Sequence, residues 1–319
     1  MQPTHGVPCN TYDGRRQSSN NGNMIDSTRR LLLTHAPLAA GWAAFGTPTD
    51  AATTVSPVRP LDDGYIEWAD TRERFRAQFR FERDLRDEAT ALSTYQFLVY
   101  ALPQDERPLP IVRFEGMEFS YFRRVGDLTW RIHAHNLSYP RDIETGRYTS
   151  SVPNPFTGET LAVQPMRLLS DPGVLHSPRG YLPLDATAIR WLETYLVMRV
   201  EGDLVKSEHI RPTPDGWPKM FIESSVSSVP KRDFDDPKVT SLQYQTSGFY
   251  VFPFPEWMRM GETRGHMLGA WSGRKIREPG NLPREFLARA RAEDAGLLEP
   301  RWGELARPVP SALQDALNG

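Results

Sequence analysis

The chain has 319 residues, 39% of them hydrophobic, and a formal net charge of −2. That length suits one large domain or two small ones, and a balance this close to neutral gives no electrostatic footprint for nucleic acid. The single cysteine, Cys9, lies in the stretch read below as a leader, and a mature chain without it is then expected to have no disulfide, no thiolate nucleophile and no cysteine-ligated zinc.

Residues 1–23 are polar and rich in Asn, Ser and Gly, and read as a disordered extension. From Met24 the order changes. Arg29 and Arg30 precede an apolar stretch from Leu31 to Phe45, and small residues with Pro and Thr follow. This order resembles a twin-arginine export signal over 24–52, and it predicts a periplasmic or otherwise exported protein. If the leader is not functional, the protein is cytoplasmic. The apolar stretch is too short for a stable membrane span. The competing reading is a helix-forming arm with a chance arginine pair. Residues 53–62 read as a linker of small residues and prolines.

Residues 63–310 are read as a single β-rich domain. In FRAQFRFERDL the phenylalanines Phe75, Phe79 and Phe81 sit at odd positions, which predicts a strand with one apolar face. TYQFLVYAL (94–102) is aromatic and β-branched and stops at Pro103. IVRFE (111–115) and MEFSYF (117–122) flank Gly116, where a bulge or a close backbone approach is expected. RRVGD is a hairpin turn, LTWRIHAHNLSY (128–139) alternates again, and PRDIETGRY and NPFTGE are turns. ATAIRWLETYLVMRV (186–200) fits helix or strand, whereas FIESSVSSV fits a strand. LPREFLARARAEDAG (282–296) is a helix, with Pro283 at its start and Gly296 at its end.

In PFPEWMRMG the prolines hold Phe254 extended, so this stretch is expected to be a loop or edge strand closing a barrel mouth. GHMLGAWSGRK is then the last core strand. Strands recurring every ten to fifteen residues favour an antiparallel meander. The fold expected is mainly β: a single antiparallel β-barrel or strongly curved sheet with a few covering helices, of a kind that often encloses a ligand cavity.

RFEG at 113–116, DIETGRYTSSVPNPFTGET, FPEWMRMG, GHMLGAWSGRK and NLPREFL together resemble the family of bacterial and fungal proteins catalogued as domain of unknown function 1838. The resemblance runs from about residue 70 to 305. It implies an export leader, as read above, and no activity follows from it. The family often carries an Arg-Glu pair before the DIETG turn, where this chain reads RIHAHNLSY. A family stretch of Asn-Asp-Pro-Val reads SDPGV here, at 170–174.

Three groupings could carry chemistry. His133 and His135 share one face of a strand and would make a metal pair if His209, His266, Glu115 or Glu118 supplied a third ligand. The alternative is that no metal binds and the two imidazoles serve packing and hydrogen bonding. An aromatic and basic stripe comes second: Tyr95, Phe97, Tyr100, Arg113, Glu115, Tyr121, Trp130, Arg131, His133, Trp257, Arg259, His266 and Trp271. Such residues line cavities for hydrophobic ligands, and they also fill cores. Arg113 and Glu115 on one face would make Glu115 a structural anion; unpaired and desolvated, Glu115 would be a general base. The third grouping is Tyr139, Arg141, Asp142, Asn154 and Glu159, which turn geometry explains more simply. No nucleophile elbow, P-loop, HExxH or dinucleotide fingerprint is present.

The leading expectation is a cofactor-independent lyase or isomerase acting on an aromatic or terpenoid-like small molecule. Glu115 or His133 moves a proton, while Arg131 or Tyr139 steadies an oxyanion. Tyr100, Arg113, Tyr121, Trp257, Met260 and His266 line the ligand. The alternatives are a non-catalytic periplasmic carrier with the same cavity, and a metal-dependent enzyme using His133 and His135. A Met- and Trp-rich mouth would equally serve as a homodimer contact.

Overall fold

The computed structural model describes residues 63–169, 173–184, 195–211 and 222–308. The extension, signal and linker expected over 1–62 lie outside these residues. So does the first part of the stretch read as helix or strand; its remainder, from Tyr195, is strand.

The first element corrects an expectation. Thr71–Glu82 is a helix, α1, and not a strand. Asp70 caps it, its side chain accepting the Arg72 N–H at 2.6 Å. Phe75 and Phe79 are four apart and share a face that packs on Phe122 and Trp130, whereas Ala77 and Phe81 pack on Met198, Val205 and Phe234. Apolar residues at odd positions here mean a helix buried on two sides, a pattern that imitates strand alternation.

Thirteen strands follow. They are β1 (Ala89–Pro103), β2 (Leu109–Gly126), β3 (Thr129–Arg141), β4 (Ser151–Pro153), β5 (Thr160–Ala162), β6 (Met166–Leu169) and β7 (Val174–Ser177), then β8 (Gly180–Pro183), β9 (Tyr195–Glu201), β10 (Leu204–Arg211), β11 (Ile222–Pro230), β12 (Gln245–Pro253) and β13 (Gly265–Ile276). Eleven join one antiparallel sheet in the order β8-β7-β3-β2-β1-β13-β12-β11-β10-β9, with β6 also on β3; β4 and β5 form a separate hairpin. Helix α2 (Lys231–Asp235) joins β11 to β12, and α3 (Arg284–Glu293) and α4 (Trp302–Leu305) come last.

The mainly β class therefore holds, but no closed barrel forms: among the described residues β8 and β9, the ends of the sheet, share no ladder. Instead α1 meets both ends. Its Phe75 and Phe79 side touches the β3–β7–β8 end and its Phe81 side touches the β9–β11 end. The β9 edge is covered by residues 64–66, through Val200 N–H to Gly64 O at 2.8 Å and Ile66 N–H to Met198 O at 2.9 Å. Helices α3 and α4 cover the opposite, outer face of β2 and β3, where Phe286 and Leu305 bury against Met117, Tyr121 and Tyr139.

PFPEWMRMG is a loop with one 3₁₀ turn, Glu256–Met258. Its Met258 and Met260 are buried with Val152, Leu161 and Val163 beside the β4–β5 hairpin, over inner-face Phe97 and Val99. The pair is thus core and not an exposed contact. Asn154 fastens the two segments: its Oδ1 accepts the Phe156 N–H at 2.9 Å, closing the NPFTGE turn, and its Nδ2 donates to Met258 O at 2.8 Å.

Candidate functional site

Side chains alternate across a strand, so the pairing register decides which residues share the inner face. Tyr95 lies opposite Gly116 and Gly273, and Phe97 opposite Phe114 and Trp271. Odd residues of β1 and β13 therefore keep company with even residues of β2. On β3 the even residues follow, since Glu118 pairs with Asn136 and Glu115 with Tyr139. Between this face, the end of α1 and strands β10–β12 lies a cavity of about 170 Å³. For scale, an apolar cavity of roughly 150 Å³ accommodates one benzene.

One wall of the cavity is aromatic, formed by Tyr95, Phe97, Tyr250 and Trp271; Ser207, Ser225, Ser227, Thr246 and the buried Glu223 on the adjoining strands complete the lining with polar groups. The last turn of α1 delivers its ionisable end. Glu82 accepts the Gln78 Nε2–H at 3.0 Å and the Tyr181 O–H at 2.5 Å. Two imidazoles flank the same carboxylate, His176 Nδ1 at 3.9 Å from Oε2 and His209 Nδ1 at 3.9 Å from Oε1. His176 is held by stacking on Tyr181, with ring centroids 3.9 Å apart, while His209 lines the cavity.

A second polar group adjoins the first. Arg83 pairs with Glu118 at 2.9 Å, and both are shielded from solvent, at 4% and 12% side-chain exposure. Asn136 Nδ2 donates to Glu118 Oε2 at 3.4 Å, and Asn136 Oδ1 accepts the Tyr95 O–H at 3.1 Å. Burial, reinforced by the Glu118 charge, pushes the Tyr244 hydroxyl up to about 12 and raises that of Tyr95 as well. Both phenols stay protonated at neutral pH and can donate. Lys275 sits behind this group, its Nζ donating to Arg80 O at 3.3 Å, Phe81 O at 3.1 Å and Arg83 O. Burial, and then the Arg83 charge, pull the Lys275 ammonium down to about 7. Lys275 thereby holds the carbonyl end of α1 against the sheet.

The residues first singled out for catalysis lie on the outer face, beneath α3 and α4. Glu115 does not pair with Arg113, which is exposed and opposite Arg141 in the ladder. Its carboxylate instead accepts Arg141 Nη2 at 2.7 Å and Nε at 3.1 Å, and the Tyr148 O–H. Arg131 is buried and donates to Leu305 O at 3.0 Å and to Arg307 O. His133 Nδ1 lies 3.4 Å from Glu304, and Tyr121 stacks on His133 while donating its O–H to Glu304. Burial raises the Glu304 carboxyl, but the Tyr121 hydrogen bond and the His133 and Arg301 charges outweigh it and leave Glu304 below the usual range. His135 is lowered by burial and by Arg301. Tyr139 packs edge-on to Phe286 at 5.4 Å.

Of the residues expected to line a ligand, Tyr100 and His266 lie near the far end of the β1–β13 ladder. Trp257 packs half-buried on the β4–β5 side, beside buried Met260. None of the six borders the cavity. Tyr95, Phe97, Trp271, Glu118 and His209, all noted in the sequence, do. Glu82, Arg83 and His176 were not noted. The signal for Glu82 was a helix reading of 71–82, which puts Gln78 and Glu82 four apart on one face.

Among the described residues no three His, Cys, Asp or Glu side chains converge as a metal site requires, and no helix is long and apolar enough to cross a membrane. No protein-family model matches the chain, and no curated protein does.

Proposed function

We propose that the protein is an enzyme that moves a proton on a small, largely apolar molecule held in the inner cavity, in a lyase or isomerase reaction. The observation that carries this reading is Glu82 flanked by His176 and His209 in a cavity with one aromatic wall. His209 faces the ligand and takes the proton. Glu82 sits behind it and stabilises the imidazolium that forms. Tyr244, protonated at neutral pH, is positioned to donate to oxygen as negative charge develops there, while the Tyr95 O–H stays on Asn136. Proton transfer of this kind needs no cofactor. The export leader and the resemblance to a family of unknown function belong to the same proposal and name no reaction.

The test begins with native mass spectrometry of the full chain purified from its own host, to identify a co-purified organic molecule. That molecule is then incubated with catalytic amounts of protein and followed by liquid chromatography with mass detection. Product should form, and His209→Gln should slow its formation by about 10²- to 10⁴-fold. Tight binding with no product from the wild type would overturn the enzyme reading and leave a carrier.

A further inference from the structure

The aromatic wall is seated in an unusual way. A Cβ built on Gly269 would meet ring carbons of Tyr250 at 2.1 and 2.2 Å and its hydroxyl oxygen at 2.5 Å. One on Gly116 would meet Tyr95 ring carbons at 2.4 and 2.5 Å. These glycines are the direct ladder partners of the rings that cover them, Tyr250 across from Gly269 and Tyr95 across from Gly116. Neither glycine has the left-handed backbone that by itself calls for glycine. What excludes a side chain at each position is chiefly the ring, which covers the strand where a Cβ would start, joined at Gly116 by the Cβ of Ser138 at 2.8 Å. The Tyr95 O–H is pinned by Asn136 at 3.1 Å, and Phe97 bridges the two tyrosines at centroid distances of 6.1 and 6.0 Å. The wall is thus continuous, with neighbouring rings tilted by 33° and 61° to one another, and recessed by the depth of a side-chain base.

From this geometry we infer that Gly116 and Gly269 are the size-determining residues of the site. Its ligand is a molecule with a single six-membered ring and a polar edge. The ring lies against Tyr95, Phe97 and Tyr250, and the polar edge turns towards Glu82 and His209. The inference rests on the cavity being the binding site and adds the shape of what it takes. A volume of about 170 Å³ fits one ring with a substituent, judged by the benzene held in roughly 150 Å³. A methyl on either glycine would drive the tyrosine ring into that space, because the strand lies behind it.

The experiment is isothermal titration calorimetry on the full chain with two probes that each carry one phenolic hydroxyl, phenol and 2-naphthol. Wild type should bind phenol about tenfold or more tighter than 2-naphthol. Gly269→Ala should weaken phenol by about tenfold or more, the discrimination that one methyl group commands in a tight pocket. Tyr250→Ala introduces no clash and should shift the preference towards 2-naphthol by a similar factor, so the inference remains exposed to refutation even if Gly269→Ala does not fold. Phenol binding unchanged in Gly269→Ala, or a preference unmoved by Tyr250→Ala, overturns the size rule while the cavity stands as the binding site. Wild type binding neither probe overturns the ring-shaped ligand. If native mass spectrometry also finds no bound molecule, the cavity reading falls with it.

Discussion

Replacing Glu118 with Gln keeps its shape and removes its charge, which leaves the Arg83 guanidinium buried without its counter-ion. The pair is 2.9 Å apart, with Arg83 only 4% exposed. Breaking a buried ion pair from one side costs about 3–5 kcal/mol. At roughly 2–4 °C of melting temperature per kcal/mol for a domain of this size, the loss is about 6–20 °C. Urea unfolding followed by far-UV circular dichroism measures it directly. Removing both charges, as Arg83→Met with Glu118→Met, should cost less than either single change, because no orphan charge remains. A Glu118→Gln variant within about 1 kcal/mol of wild type would refute the reasoning: it would place the pair among solvated ion pairs and make this end of the cavity wet.

Two further outcomes follow from the same geometry. Glu115→Gln should lower stability by about 1.5–3 kcal/mol, the worth of hydrogen bonds to a charged group, and leave turnover of the identified ligand unchanged, since Glu115 holds Arg141 and Tyr148 on the outer face; a loss of turnover at unchanged stability would return it to the catalytic set. At Lys275 the folded chain releases its proton near pH 7, whereas the unfolded chain keeps it to about pH 10.4. The unfolded state thus binds more protons in that window, and wild-type stability should rise with pH from 7 to 10 relative to Lys275→Met; parallel stability curves for the two would show that the lysine stays charged in the fold.

The sequence made the strands legible because their apolar residues alternate and their ends carry Gly, Pro and Asn. The helix over 284–293 was legible from its proline start. Two things were hidden. Helix α1 is buried on both sides, so Phe75, Phe79 and Phe81 mimic a strand, and only the Asp70 cap spoke against it. The side of the sheet that holds the cavity was hidden for a related reason. From Trp130 to Pro140 every residue of β3 is buried, so alternation cannot say which face is lined by ligand and which by helices. The register settles it by pairing odd residues of β1 with even residues of β2. The aromatic stripe was drawn through Tyr95 and Phe97 and then through Glu115, Arg131 and His133, and so crossed from one face to the other.

The central ladder carries a consequence for how the chain is made. Strand β1 is paired with β13, so Leu92 meets Ile276, and α1 also reaches far along the chain, with Arg80 donating to the carbonyls of Phe234 and Asp236. Contacts between residues so distant in sequence slow the search for the native state. Nearly the whole chain must leave the ribosome before the middle of the sheet can close. Until then β1 presents an open edge, so a nascent chain stalled before residue 265 leaves that edge free to pair with a neighbour.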